Sequence, residues 1–527
     1  MRTLNCTEII GDFLVFLIVI GSTMLCCPFF TDEVLYPKWF LTIIASCLLL
    51  IVYLYSVNNK KALNFKHFEI CVILISVFEC ILMFLQEFEW IAKPKNYVLG
   101  SFDSVAGFVS FICLTLPFGL RKMLCKKRVI KVLIILSKIL CVSAIVYIES
   151  RIGMMCIFVI GFQYIFISLK MPICKQILCN LICIFVVCIP LSTLMKTDSS
   201  KGRWFIAMQT LEIVKERPIA GHGKGSFVKD YMAKQASYFV ENPTSEYAFL
   251  ADNIHHPISD ALLILYEFGF IGLAFCMFLF FYLLFQLQKK KIERIQTFIS
   301  LLLVFAICFV LSYPLRYPFT WVVLVYAYIS IVPRHILESK MLYKIAGCLS
   351  VCCIVLIVEK SFSNIRWHNA QTCFENGNIS IAVLRYRQLY EKKKEDYRFL
   401  YDYSYVLYSI NRKKDALKVA LECSHFLSDY NLNLLIGYIY RDIGQFKNAI
   451  LMFENAHYMC PSRLVPLYEE YITCRLCNNF TRCDELAKII VDYPIKVHSA
   501  TTDNIQSEMK LFLSSKHNGE LEKCGGL

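Results

Sequence analysis

Between Lys196 and Pro257 the chain gathers residue types that can do chemistry at a surface. Gly202-Arg203-Trp204 opens the segment, an amphipathic stretch runs to Glu216, and Arg217-Pro218-Ile219-Ala220-Gly221-His222-Gly223-Lys224-Gly225 follows. Glycines at alternate positions expose backbone N–H groups and permit positive φ, the geometry of an anion nest; a turn closing the preceding helix uses glycine for the same freedom and is the commoner case. The segment ends at His255-His256-Pro257. Histidine titrates near neutral pH and can take a proton from a hydroxyl. Metal ligation is disfavoured, because adjacent residues rarely converge on one ion and the segment has no cysteine.

Four arginines, Arg151, Arg203, Arg217 and Arg316, fall outside the basic loops of the chain. One such residue is explained by snorkelling to lipid phosphate. Several on one side of a membrane suggest a diphosphate site, since guanidinium offers a fixed fork of donors to phosphate oxygens. Glu79 and Lys138 lie near the midpoints of apolar runs, where an isolated charge costs ~3 kcal/mol, so both should face inward and pair, as a structural ion pair or as a transport site. The pair Cys474 and Cys477 is a lone CxxC on an expected helix, better read as packing than as a disulfide.

Membrane helices are expected to carry these groups. The 527 residues are 57% hydrophobic and only 18% charged, with mean hydropathy +0.54, which excludes an ordinary soluble protein. A net charge of +14 would suggest nucleic acid in a soluble chain; here it is loop charge that sets topology, and nucleic acid is not an expected partner. Of 26 cysteines, 19 precede residue 360, mostly inside apolar runs where Cys is a small hydrophobe. Eleven apolar runs read as spans, at about 11–30, 39–57, 68–88, 97–120, 129–148, 153–170, 173–195, 258–286, 296–313, 318–334 and 342–360. The first lacks a cleavage site and reads as a permanent anchor. Basic connections after the second, fourth, sixth, eighth and tenth spans place the N-terminus in the cytoplasm, and residues 196–257 and everything after Lys360 outside.

From Ser361 the chain becomes charged and Tyr-rich with helical periodicity. Ala382, Ala416, Ala449 and Cys483 recur at intervals of 34, 33 and 34 residues, each in a small-residue slot between paired helices. Around the third, Gly437, Tyr440, Ala449, Phe453, Ala456 and Pro461 stand at tetratricopeptide offsets. The expected fold class is therefore all-α: a polytopic transmembrane domain over 1–360 with a large loop at 196–257, an α-solenoid of tetratricopeptide-like repeats over 361–513, and a polar, frayed tail over 514–527.

The tight Ser150-Arg151 turn, Gly202-Arg203-Trp204, Arg217 to Gly223, and His256 leading to Glu267-Phe268-Gly269-Phe270-Ile271-Gly272 resemble the O-antigen ligase and O-antigen polymerase superfamily. The specific positions lie within about 150–275. The resemblance implies a glycosyltransferase of the bacterial inner membrane that needs no metal or other cofactor. Its donor is a glycan on undecaprenyl diphosphate, and its acceptor is a hydroxyl of a glycan, lipid A core or protein. It implies that Arg151 and Arg203 act on the diphosphate and that His256 activates the acceptor, with Arg217, Arg316, His255, Gly221 and Gly223 as substrate-binding candidates. The spacing departs from the family pattern, since His256 lies two residues further from Gly269 and Pro257 replaces an Asn. The repeats resemble periplasmic extensions of some members and would offer a concave surface to a partner protein. Ligase is favoured over polymerase; a transporter using Glu79 and Lys138, or a membrane-anchored repeat scaffold, are the readings from other classes.

Overall fold

The computed structural model describes residues 6–58, 67–94, 96–120, 128–169, 171–172, 175–176, 179–180, 197–289, 295–332 and 340–524. Almost all of the expected seventh span, 173–195, and the basic connections at Lys60-Lys61, Arg121-Lys122, Lys290 to Arg294 and Arg334 lie outside the described residues. Among the described residues every regular element is helical: α1 (Cys6–Gly21), α2 (Leu35–Asn58), α3 (Phe68–Glu87), α4 (Val105–Thr115), α5 (Arg128–Tyr147), α6 (Arg151–Ser168), α7 (Thr197–Val214), α8 (Phe227–Glu241), α9 (Asp260–Lys289), α10 (Ile295–Leu311), α11 (Pro318–Ile331), α12 (Lys340–Glu375), α13 (Ile379–Lys393), α14 (Tyr397–Ser409), α15 (Lys413–Ser424), α16 (Tyr430–Asp442), α17 (Phe446–Met459), α18 (Val465–Leu476), α19 (Phe480–Val491) and α20 (Ala500–Cys524). The chain divides into two compact units. The first takes Met1–Met195, Ile258–Ala261 and Leu273–Asn369; the second takes Lys196–Pro257, Leu262–Gly272 and Ala370–Leu527.

Among the described residues α2, α3, α5, α9 and α12 are long and apolar enough to cross a membrane, and α4, α6, α10 and α11 are shorter apolar helices; all belong to the first unit except Leu262–Gly272 of α9 and the last residues of α12. These helices fit a multi-pass membrane protein. The fourth expected span is the most changed. Ser104 caps α4 by accepting the Gly107 N–H at 3.0 Å, so the helix starts only at Val105. Residues 98–102 before it form a tight turn closed by a Leu99–Phe102 bridge. That turn receives two buried charges, those of Glu79 and Lys38. The Glu79 carboxylate accepts both the N–H and the hydroxyl of Ser101, and the Lys38 ammonium donates to the Ser101 carbonyl. Lys138 instead donates to the Thr115 carbonyl at 3.0 Å, in the C-terminal turn of α4. The expected pairing of Glu79 with Lys138 is thus replaced by two separate backbone anchors, because each side chain finds unsatisfied polar backbone nearer than the other.

The second unit packs α7 and α8 together through Phe205, Phe239 and Ala251, with Tyr458 of α17 against the same cluster. Gln235 of α8 donates to the carbonyls of Asp252 and Met459 at 3.0 and 2.6 Å, and the Ser428 N–H donates to Val228 at 3.0 Å. Residues 197–257 are therefore built into the same body as the C-terminal helices. Those helices pack in succession, α14 on α15, α16 on α17, α18 on α19, α19 on α20. Ala382, Ala416, Ala449 and Cys483 are each fully buried on the second helix of a pair. The turn within each pair carries one left-handed residue, Gly377, Asn411, Gly444 and Asn478, spaced by the same 34, 33 and 34 residues. The polar end of the chain, expected to fray from Ser514, continues α20 to Cys524; Ile505 and Met509 of that helix are buried against Leu486 and Ile490 of α19.

Candidate functional site

The glycine-rich segment is a crossing of two chain segments in the second unit. After α7 the chain turns at Arg217, whose carbonyl accepts the Gly221 N–H at 3.0 Å. Gly221, Gly223 and Gly225 sit at φ 73, 95 and 79°, a backbone region that L side chains rarely adopt. The N–H groups of His222 and Gly223 donate to the carbonyls of Tyr266 and Glu267 at 3.0 and 2.9 Å, and those of Phe270 and Ile271 donate back to Pro218 and Ile219 at 2.8 and 3.2 Å. Gly225 completes the set by donating to Oε1 of Glu267 at 2.7 Å.

This exchange needs α9 to open one turn, and the sequence supplies the means. Gly269 stands at φ 63° and ψ −161° inside the helix, a conformation essentially reserved for glycine. A Cβ on Gly269 would run into the Ile219 carbonyl, and one on Gly221 would run into the Glu267 backbone. The two glycine motifs are thus one structural device, and the anion held by the Gly225 N–H is the chain's own Glu267. His222, stacked on Tyr266 at 4.9 Å, is fixed by a 3.0 Å contact with the Ile213 carbonyl.

The histidine pair follows at the end of the loop. Nε2 of His255 lies 2.6 Å from Oδ2 of Asp429, whose side chain is only 5% exposed while that of His255 is 48% exposed. Asn253 donates to the same Oδ2 at 2.6 Å, and Oδ1 caps α16 by accepting the Leu432 N–H at 3.0 Å. Burial pushes the Asp429 carboxyl up, but these donors outweigh it and hold it below the ordinary aspartate value. Asp252 pairs with Arg463 at 2.6 Å, and Arg463 lies over the Tyr430 ring at 4.6 Å. Residues 252–255 are in this way pinned to the entries of α16 and α18. His256 is half-buried, with Nδ1 against the Pro257 carbonyl.

The arginines divide between the units. Arg203, beside the exposed Trp204, lies exposed on α7, and Arg217 is exposed after it. Arg151 and Arg316 belong to the first unit. Arg151 begins α6 directly after a tight turn in which Glu149 is left-handed, at φ 55°. Arg316 donates to Asp103 at 2.8 Å, and the Tyr317 hydroxyl donates to the same carboxylate at 2.7 Å, so its charge is already partnered. Sequence reasoning missed Asp429, Asn253 and Glu267 as partners of the site. Glu267 was visible in the quoted motif, whereas Asp429 lies 174 residues from His255 with no local signal.

A family model described as O-antigen ligase matches residues 136–277. The matched stretch contains Arg151, Arg203, Arg217, His255, His256 and the Gly269 to Gly272 motif, and ends before Arg316 and the C-terminal helix pairs. No curated protein matches the chain.

Proposed function

We propose that this chain is an inner-membrane glycosyltransferase of O-antigen ligase type, moving a glycan from undecaprenyl diphosphate to an acceptor hydroxyl on the periplasmic side. The family match over 136–277 carries the reading, and the site residues supply chemistry of the right kind. Arg203, Arg151 and Arg217 each carry a guanidinium of the kind that stabilises a diphosphate leaving group without a metal. The adjacent His255 and His256 supply a base for the hydroxyl. Arg316, with Asp103 at its side, assists less directly, and Gly221 and Gly223 serve by shaping the loop around the bound donor. The chain spans the membrane eleven times with its N-terminus in the cytoplasm, and residues 361–513 form a periplasmic tetratricopeptide-like solenoid that docks the acceptor or a partner protein.

The test compares surface glycans and lipid-linked intermediates from cells lacking the gene and from cells carrying Arg203→Ala. Full-length glycan accumulating on the lipid diphosphate supports the ligase reading. Loss of long glycans, with single units still reaching the acceptor, identifies a polymerase. Unchanged glycans overturn transfer and restore the transporter and scaffold readings.

A further inference from the structure

The two adjacent histidines differ in what holds them. Nδ1 of His256 faces the carbonyl of the next residue, Pro257. Nε2 of His255 faces Asp429, a carboxylate that is buried, held ionised by its donors and anchored through its other oxygen to the start of α16. An ionised carboxylate only accepts hydrogen bonds, so the proton of the neutral His255 ring resides on Nε2 and the lone pair on Nδ1. Half of the His255 side chain is exposed, which leaves the ring open to an incoming hydroxyl. A base within hydrogen-bond reach of a fixed anion is the arrangement that sets tautomer and orientation and stabilises the imidazolium once it forms.

We propose that Asp429 is a positioning residue for the transfer, holding His255 as its general base with Nδ1 directed at the acceptor hydroxyl. This rests on the transferase reading above. In the step, the acceptor O–H proton passes to Nδ1 of His255 as the acceptor oxygen bonds the anomeric carbon. The bond from that carbon to the diphosphate oxygen breaks, its electron pair leaves with undecaprenyl diphosphate, and the imidazolium later releases its proton to water. The C-terminal helix pairs then supply a working part of the site as well as a docking surface, because the carboxylate that orients the base belongs to the entry of α16.

The discriminating variant is Asp429→Asn. Asn caps a helix about as well as Asp: its one oxygen can still accept from Leu432, and the NH2 that replaces Oδ2 can donate to the Asn253 side-chain oxygen once that amide turns over, but it carries no charge and can no longer accept from Nε2 of His255. Full-length wild type, Asp429→Asn, His255→Ala and the double variant are assayed in membranes with lipid-linked glycan extracted from cells lacking the gene, reading release of undecaprenyl diphosphate. Asp429→Asn is expected to lower kcat by about 10²- to 10⁴-fold with donor KM within about twofold and thermal stability unchanged. The double variant is expected to be no slower than His255→Ala alone, since the carboxylate acts through the ring. Unchanged kcat in either single variant, additive losses in the double variant, or a kcat loss matched by loss of folded protein overturns the proposal. Absence of release by the wild type would instead sink the transferase reading itself.

Discussion

Gly269 of α9 lies so close to the Ile219 carbonyl that no side chain fits between them. Two stretches separated by about fifty residues thereby exchange backbone hydrogen bonds in the middle of what the sequence reads as one continuous apolar helix. The contact fixes where Glu267 points and therefore how the glycine-rich loop closes.

Gly269→Ala should destabilise the second unit by more than the ~1–3 kcal/mol of a strained backbone alone, because steric overlap adds to it. Gly223→Ala pays the backbone cost at φ 95° but meets nothing within 4 Å, so it should lose about 1 kcal/mol. Thermal unfolding of both variants checks the order; equal losses would mean that the crossing is not under steric constraint.

Arg203→Ala should lower transfer by roughly 10²- to 10³-fold, the usual cost of removing one electrostatic donor from a transition state. Arg203→Lys should recover only part of it, since an ammonium cannot reproduce the guanidinium fork. Release of lipid diphosphate is the measure, and full recovery with Lys would reduce Arg203 to a point charge.

His457 on α17 is half-buried, its buried Nδ1 has no hydrogen-bond partner among the described residues, and desolvation lowers its pKa from 6.5 to about 4. A depressed folded-state pKa means that stability is full above 6.5 and is lost as pH falls towards 4. The second unit should therefore melt earlier at pH 5 than at pH 8, and His457→Phe should flatten that dependence. Comparing variant with wild type separates this effect from Glu470, whose burial, opposed by Arg482, raises its pKa to about 7 and whose contribution is lost as pH rises.

The left-handed turn residues predict opposite outcomes for exchanges between them. Gly444→Ala should cost about 1 kcal/mol, whereas Asn411→Gly should be neutral or slightly stabilising because it removes strain at φ 62°. Chemical denaturation of the full chain gives the sign, and a destabilising Asn411→Gly would show that the Asn side chain contributes more than its backbone shape.

Hydrophobic runs and a repeat period survive translation into structure because they depend on neighbours a few residues away. The 34-residue spacing of Ala382, Ala416, Ala449 and Cys483 reappears as buried slots, since a small residue where two helices cross is a local requirement. The short α4 departs from its hydropathy. Hydropathy counted residues 97–104 as membrane, but Ser104 capping and the demand of Glu79 for backbone donors turned them into a polar turn.

An apolar helical chain, a polar segment with arginines and histidines, and a periodic helical tail are legible in the residues alone, because composition and period are properties of the chain. Which groups meet depends on how the chain folds back on itself. That folding places Glu267 against Gly225, Asp103 beside Arg316 and Asp429 against His255. Charges that must leave water seek donors wherever folding brings them, and those donors carry no mark in the local sequence.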